Sequence, residues 1–524
     1  MAKLQAPSGF RDFLPDAYRK RSELIRRIRA VYESFGFEGI ETPALENLSV
    51  FLGKGGGENE KLMFRVLKRG AELQRALEKS DELADLALRF DLTVPLARYY
   101  ATHRGELPAV FKRYHIGPVW RAERAQHGRF REFMQCDVDV LGSPSMLVEA
   151  EVIQVTTTAL AELGFKNLTV RLNSRPLLRL LVTGAGVPVD LVAGVFTSLD
   201  KLDKVPPEEV KKEMLERGVP ETAATRLLRL RDTCGRLGTL ARIWLIHKEF
   251  GGDTLPHLEQ LNQIVSLVPG AGKAVVINDA SQPVGSVAEL LEMASLGLEA
   301  ELAAGSGKHI RPEAPVTGAA FSVIFDPFLA RGMDYYTGPI FEVAAEGVPL
   351  ALAGGGRYDE LIGLLCGQKV PACGFSIGFE RVFEVMEERK MFAGLPPLKW
   401  ADHWKAFQAA DVFVAMAPTK SREDLFELSK ESIDLAGKLR GAGLRADLFV
   451  GTQKLGSQYE LAEGKGIRWA VFLDPQAPHH PQVNLRDLRT RTTEPVLRQA
   501  VAALLVERTR NDPPPQSSRA DGRP

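Results

Sequence analysis

Cysteine is scarce in this chain: four in 524 residues, at Cys136, Cys234, Cys366 and Cys373. None forms a CxxC pair or falls at a zinc-ligand spacing from histidine, which excludes a disulfide framework or a metal finger as the basis of the fold. Neither sign of charge is in surplus, with 67 lysines and arginines against 67 aspartates and glutamates. No global basic field announces a nucleic-acid partner, so any contact with RNA has to come from local patches. An uninterrupted apolar run of about 18 residues, enough to span a bilayer, is also missing. The opening MAKLQAPSGFRDFLP carries no apolar signal region. The expectation is a cytoplasmic protein with no membrane partner. Glycine-rich stretches occur at Gly53–Asn59, Gly270–Ala274 and Gly305–His309, but none completes the GxxxxGK[ST] pattern of a phosphate-cradling loop.

What is present is ample apolar material, 45% of residues, in a chain long enough for several cores. Ala17 to Phe35 has apolar residues at helical spacing (Leu24, Ile25, Ile28, Val31, Tyr32, Phe35), stops at Gly36, and is followed by a short strand pattern at Ile40 to Pro43. From about Asn173 to Pro315 the chain becomes charged and helical, with helices expected over Lys201 to Arg217 and Glu221 to Arg236. After a connector at Met391 to Ala410, strand and helix patterns alternate: Asp411 to Ala417, Glu423 to Ala442, Arg445 to Val450, Gln458 to Gly464 and Ala470 to Leu473. That alternation predicts a small sheet covered by helices. Thr509 to Pro524 has almost nothing apolar and is expected to be disordered.

The most informative segment is Tyr114 to Gly142, YHIGPVWRAERAQHGRFREFMQCDVDVLG. At the two-residue period of a strand, Arg129, Arg131, Phe133, Gln135, Asp137 and Asp139 share one face, while Phe130, Met134, Cys136, Val138 and Val140 share the other. Guanidiniums suit phosphate oxygens, an aromatic ring can stack on a base, and an amide followed by carboxylates suits a small cationic or hydrogen-bonding group. A nucleotide lying against an amino acid fits this order. Tyr114 to Arg121 is a second strand pattern, joined to the first through the loop Ala122 to Gly128.

This segment resembles motif 2 of the class II aminoacyl-tRNA synthetases, specifically of the histidyl family. LRFDLTVPLAR (Leu88 to Arg98), LARGMDYYTG (Leu329 to Gly338), AGGGRYDEL (Ala353 to Leu361) and GFSIGFERV (Gly374 to Val382) are similar to that family's further blocks in type and order. The resemblance implies an α+β multidomain protein. A catalytic domain on an antiparallel sheet would span 1–173 and 316–392, with a mostly helical insertion at 174–315, a linker at 393–410, an α/β anticodon-binding domain at 411–508 and a tail at 509–524. It also implies a homodimer built on the helix and strand of motif 1.

The implied reaction joins L-histidine to ATP, taken as its magnesium complex, and passes the histidyl group to the 3′ end of the histidine tRNA. No tightly bound, protein-ligated metal is implied. Arg121 and Arg331 would approach the α-phosphate and the histidine carboxylate. For the nucleotide the resemblance implies Arg121, Glu123, Arg129, Phe133 and Arg381, with Gly374 and Gly378 letting the backbone come close. Asp91, Leu92, Thr93 and Gln135 would surround the α-ammonium group. Asp139 and Tyr336 would take the two imidazole nitrogens, with Tyr335 and Tyr358 lining the pocket. Strand parity puts Tyr335 rather than Tyr336 on the Arg331 face, so a bulge or turn is needed if both reach the ligand. Arg124, Gln126 and His127 lie where the tRNA acceptor end would arrive. Two rivals are a regulatory paralogue and a noncatalytic RNA-binding module. Against both stand the retained arginines and the last module.

Overall fold

The structure is a computed structural model and describes residues 4–52, 62–79, 82–124, 130–202, 205–237, 239–268, 321–331, 335–394, 410–419, 422–475 and 477–510. The expected loop at Gly53–Asn59, the remaining glycine-rich runs and the tail lie essentially outside these residues, as do Gln126, His127 and Arg129.

The helix Pro15–Ser34 begins with proline at its first turn, where a missing N–H costs nothing. It buries Leu24, Ile28, Val31 and Tyr32 along one stripe. Gly36, at φ +78°, ends it in the left-handed region. The strand that follows is β1, only Glu38–Gly39. The expected strand at Ile40 to Pro43 is not formed, since Ile40 alone continues the pairing through one bond to Tyr114. Three short strands, β2 (Leu45–Asn47), β3 (Arg65–Leu67) and β4 (Ala84–Leu88), make a separate small sheet in the order β2-β4-β3.

The central sheet contains β1, β5 (Phe111–Trp120), β6 (Glu132–Leu141), β7 (Leu168–Ser174), β8 (Phe321–Phe325), β9 (Pro339–Ala345), β10 (Ala353–Arg357) and β11 (Ala372–Gly378). Its order is β1-β5-β6-β11-β10-β9-β7-β8. Pairing is antiparallel from β5 to β7 and parallel at both edges. One face is apolar: Cys136, Val138 and Val140 of β6 join Phe375 and Ile377 of β11 and Phe341 of β9 in the core. The Pro15–Ser34 and Leu147–Glu162 helices contribute to the same cluster. The opposite face carries the polar residues, as the two-residue period requires.

Between β7 and β8 the chain runs through helices Arg175–Gly184, Val192–Leu199, Pro207–Glu216, Glu221–Gly235, Thr239–Phe250 and Leu255–Leu267. The helix expected from Lys201 starts only at Pro207, because Pro206 and Pro207 disfavour helix before them. The C-terminal module holds β12 (Val412–Ala415), β13 (Ala446–Leu448), β14 (Trp469–Phe472), β15 (Gln482–Asp487) and β16 (Thr492–Leu497) in the order β13-β12-β14-β15-β16. The sequence reading found the first three strands and missed the antiparallel hairpin of β15 and β16, whose outer strand is largely exposed and has no apolar alternation.

A buried ionic cluster joins this module to the central sheet. Lys112 Nζ of β5 donates to Glu151 at 3.0 Å, to Asp447 at 2.9 Å and to the Phe35 carbonyl. Lys465 meets the other Asp447 oxygen at 3.0 Å, and Arg440 meets Glu151 at 2.9 Å. A side chain at Gly36 would overlap Asp447, so that glycine supplies both the helix stop and the close approach. Lys112→Met is expected to cost about 3–5 kcal/mol, because it strands buried carboxylates. Urea unfolding checks this. Burial opposes the charge on Asp447, but Lys112 and Lys465 outweigh it and hold the carboxyl below its ordinary 3.8. Its stabilisation is therefore present above that pH and is lost as pH falls through the lower folded value. Urea midpoints at pH 5 and pH 3 should differ less in Lys112→Met than in the parent.

Candidate active site

Directly paired residues on adjacent strands point to the same side of a sheet, so its register draws the site row by row. One row reads His115, Asp137, Ser376, Gly354, Glu342, Arg171 across β5, β6, β11, β10, β9 and β7. The next reads Arg113, Asp139, Gly374, Gly356, Ile340, Asn173. Arg113, Asp137 and Asp139 stand on the β5 and β6 side, Glu342 and Arg171 on the β9 and β7 side, and glycines of β10 and β11 lie between them.

The glycines make the space. A Cβ at Gly354 would overlap the Arg331 guanidinium, and one at Gly374 would overlap the Asp139 carboxylate. At Gly356 it would come 2.8 Å from the Tyr336 ring. Gly374 therefore seats Asp139. Nothing as close stands over Gly378, which is exposed.

Arg331 lies across the glycine floor and pairs with Glu342 at 2.9 Å. Arg171 holds the other Glu342 oxygen at 3.0 Å and is itself tied to Asp326. On the β6 side, Arg121 donates to the Phe90 carbonyl at 3.0 Å, and its guanidinium carbon lies 5.0 Å from the centre of the Phe133 ring. Phe133 is half-buried and shares its face with Gln135, Asp137 and Asp139. Arg381, at the start of the Phe379–Glu388 helix, donates to the Ala351 carbonyl. Glu123 gives its carbonyl to Arg131, and Arg124 is exposed.

The acidic end is deep. Asp91 Oδ1 accepts the Val94 N–H at the start of the Thr93–His103 helix, while Oδ2 has no partner. Burial pushes the Asp91 carboxyl up to about 6, against the pull of Val94 N–H, Arg121 and Arg113. Leu92 is fully buried and its carbonyl lies 3.5 Å from Arg113 Nη2. Thr93 Oγ1 accepts from the Tyr335 hydroxyl at 3.4 Å. Gln135 donates to Ser376 at 3.3 Å and keeps its own Oε1 unpartnered. Asp139 accepts the Tyr358 hydroxyl on one oxygen. Arg113 Nη2 stands 2.7 Å from the other, an ion pair too bent to count as a hydrogen bond. Burial raises the carboxyls of both Asp137 and Asp139, with Arg113 opposing.

Tyr335 and Tyr336 both reach this pocket, their rings 5.0 Å apart, and Tyr358 lies 5.8 Å from Tyr335. Both can do so because β9 begins only at Pro339, which leaves the two tyrosines in the turn that strand parity would require. The sequence reading missed Arg113, Glu342 and His115, and gave Asp137 no role. Arg113 had a signal: extending the β5 pattern by one residue places it opposite Asp139. His115 is buried, and burial, with Arg113 and Arg89 adding to it, pushes its pKa down to about 3, so the ring is neutral.

An antiparallel sheet whose polar face carries arginines and buried carboxylates over a floor of glycines, a helical insertion and a mixed C-terminal module define the class II aminoacyl-tRNA synthetase architecture. The model of the histidyl-tRNA synthetase family matches residues 9–278 and 273–382, and that of the anticodon binding domain matches 411–508. A histidine–tRNA ligase of Leifsonia xyli is 41% identical over 478 residues, covering 90% of this chain and 96% of its own. One from Gloeobacter violaceus is 34% identical over 532 residues, covering 98% and 100%. A solved histidyl-tRNA synthetase from a Nostoc species superposes with a TM-score of 0.52 at 25% identity, covering 97% of this chain and 100% of its own. This chain belongs to the histidyl-tRNA synthetase family.

Proposed function

We infer that the chain carries out its family's reaction, ligation of histidine to tRNA with ATP, on the face just described. The observation that carries the reading is the shared polar face, on which Arg331 over Gly354 and Arg121 beside Phe133 stand with the buried carboxylates Asp91, Asp137 and Asp139. Activation brings two anions together, the histidine carboxylate and the α-phosphate, so fixed positive charge has to stand where they meet. Arg121 and Arg331 supply it. Glu342 and Arg171 hold Arg331 over Gly354, so little reorganisation is needed when phosphate arrives.

Phe133 is the adenine platform, with Glu123 at the adenine amino group and Arg129 and Arg381 on the triphosphate. Asp91, Thr93, the Leu92 backbone and Gln135 receive the α-ammonium. Asp139 takes an imidazole nitrogen, and Tyr335, Tyr336 and Tyr358 enclose the ring. ATP enters as its magnesium complex. Among the described residues no group of three or more His, Cys, Asp and Glu side chains could hold a metal ion. The terminal ribose hydroxyl of tRNA then attacks the mixed anhydride, releasing AMP.

The chain divides into catalytic halves at 1–173 and 316–392, an insertion at 174–315, a linker at 393–410 and an anticodon-binding domain at 411–508. The catalytic halves form a homodimer through motif 1, a reading supported by exposed Leu14 and Tyr18 at the start of its helix. Sedimentation at micromolar concentration tests it. We place the enzyme in the cytoplasm. Among the described residues no helix is long and apolar enough to cross a membrane.

Histidine-dependent exchange of labelled pyrophosphate into ATP tests the activation step. Phe133→Ala is expected to raise the KM for ATP about tenfold or more, since base stacking on an aromatic ring is worth about 1–3 kcal/mol. The KM for histidine should change far less.

A further inference from the structure

The segment ahead of the first helix lies against the neck of the loop that joins β5 to β6. Arg121 N–H donates to the Arg131 carbonyl at 2.8 Å and closes that neck. The Gly9 carbonyl receives the Arg131 N–H at 2.8 Å and the Glu132 N–H at 3.4 Å. Gly9 sits at φ +85°, and a Cβ there would come 2.7 Å from Arg131 Cγ, so this approach requires glycine. On the other limb of the loop, Ala122 N–H donates to the Leu62 carbonyl at 2.7 Å, and the Phe10 ring leans on Phe64, their centres 6.0 Å apart.

Arg11 reaches from this segment in two directions. Its guanidinium carbon stands 3.2 Å from the centre of the Phe130 ring, where the loop returns to β6. Its Nη2 donates to Glu380 of the Phe379–Glu388 helix, and its Nη1 lies 4.0 Å from Glu384, one turn further along. Glu380 has a full set of partners without Arg11. Arg21 of the Pro15–Ser34 helix grips both its oxygens, at 2.6 and 2.8 Å, and Met134 N–H of β6 adds a bond at 3.2 Å. Burial opposes the charge on Glu380, but Arg21 and then Arg11 outweigh it and hold the carboxyl below its usual 4.5. What Arg11 adds beyond Arg21 is a link from that carboxylate to the returning limb of the loop. Both ends of the link adjoin the arginines read for the nucleotide: Arg381 follows Glu380 on its helix, and Arg131, which bonds Arg121 across the neck, follows Phe130.

We propose that Arg11 is a positioning residue for ATP: by tying Phe130 to Glu380 it fixes the separation of Arg121, at the neck of the loop, from Arg381, at the start of the helix. The proposal rests on reading those two arginines as partners of the nucleotide's phosphates. Arg11 acts through these neighbours and not by touching substrate. The histidine side is held by other pairs, Asp139 by Tyr358 and Arg113, and Gln135 by Ser376. Arg121 also faces the histidine carboxylate, but shares it with Arg331. Loss of Arg11 should therefore fall on ATP.

Histidine-dependent pyrophosphate exchange by the full-length protein tests this. Arg11→Ala is expected to raise the KM for ATP about 10-fold, within the roughly 100-fold that a misplacement of about 1 Å can cost. The KM for histidine should stay near the parent value, and so should the thermal melt, because Glu380 keeps Arg21. Phe130→Leu removes the ring and leaves every contact of Glu380 in place, so it should give the same ATP-specific rise, and the double variant should be no worse than Arg11→Ala alone. Equal rises in both KM values, an unchanged KM for ATP, or multiplied effects in the double variant overturn the proposal. Should Arg11→Ala fail to fold, Phe130→Leu decides, and an unchanged KM for ATP in that variant overturns the proposal. Absence of histidine-dependent exchange in the parent protein would instead remove the reading of function beneath it.

Discussion

Arg331→Ala is expected to lower histidine-dependent pyrophosphate exchange about 100- to 1,000-fold, the loss that follows removal of one preorganised donor to a charge-developing centre. The fold should survive the change. Arg331 is partly exposed, and its partner Glu342 keeps Arg171 at 3.0 Å, so no buried carboxylate is left alone. The loss should fall on kcat and on kcat/KM, because the guanidinium acts on charge that appears as the α-phosphate is attacked. Exchange at the parent rate, with a normal melt, would remove Arg331 from the mechanism.

Arg113→Met is expected to have the largest effect on stability in the catalytic half. Arg113 is fully buried, and it lowers the energy of charge on Asp91, Asp137 and Asp139 together. Breaking such a buried pair costs about 3–5 kcal/mol, because the surviving charge has no water to turn to. Arg113→Met combined with Asp139→Asn should be less destabilised than the sum of the single variants, since the second change removes a stranded carboxylate. Urea unfolding of the four proteins measures this, and additive losses would mean that the pair is not coupled.

The division of β6 into a chemical face and a core face was legible because strand parity is strict. One residue of slip would have put Cys136 and Val138 in the site and Asp137 and Asp139 in the core. The helix of motif 1, the helical insertion and the alternating C-terminal module were legible for the same reason, each having a sustained pattern. What stayed hidden depends on pairing across sequence distance. Gly354 is the bed of Arg331 only because β10 and β11 lie between β6 and β9, and Glu342 is its partner only through that order. Parity leaves Tyr335 and Tyr336 on opposite faces unless the chain turns there, and the turn itself shows only in the structure, where β9 begins at Pro339. The tie between Lys112 and Asp447 joins residues from two modules, which no local pattern announces.

On the proposed function, one polar face activates histidine and no other amino acid for transfer to tRNA. The decisive measurement is charging of purified tRNA by the protein with each amino acid offered singly. Histidine alone is expected to become attached to the 3′ end. Charging with a different amino acid, or no charging with histidine while ATP is bound, would contradict it.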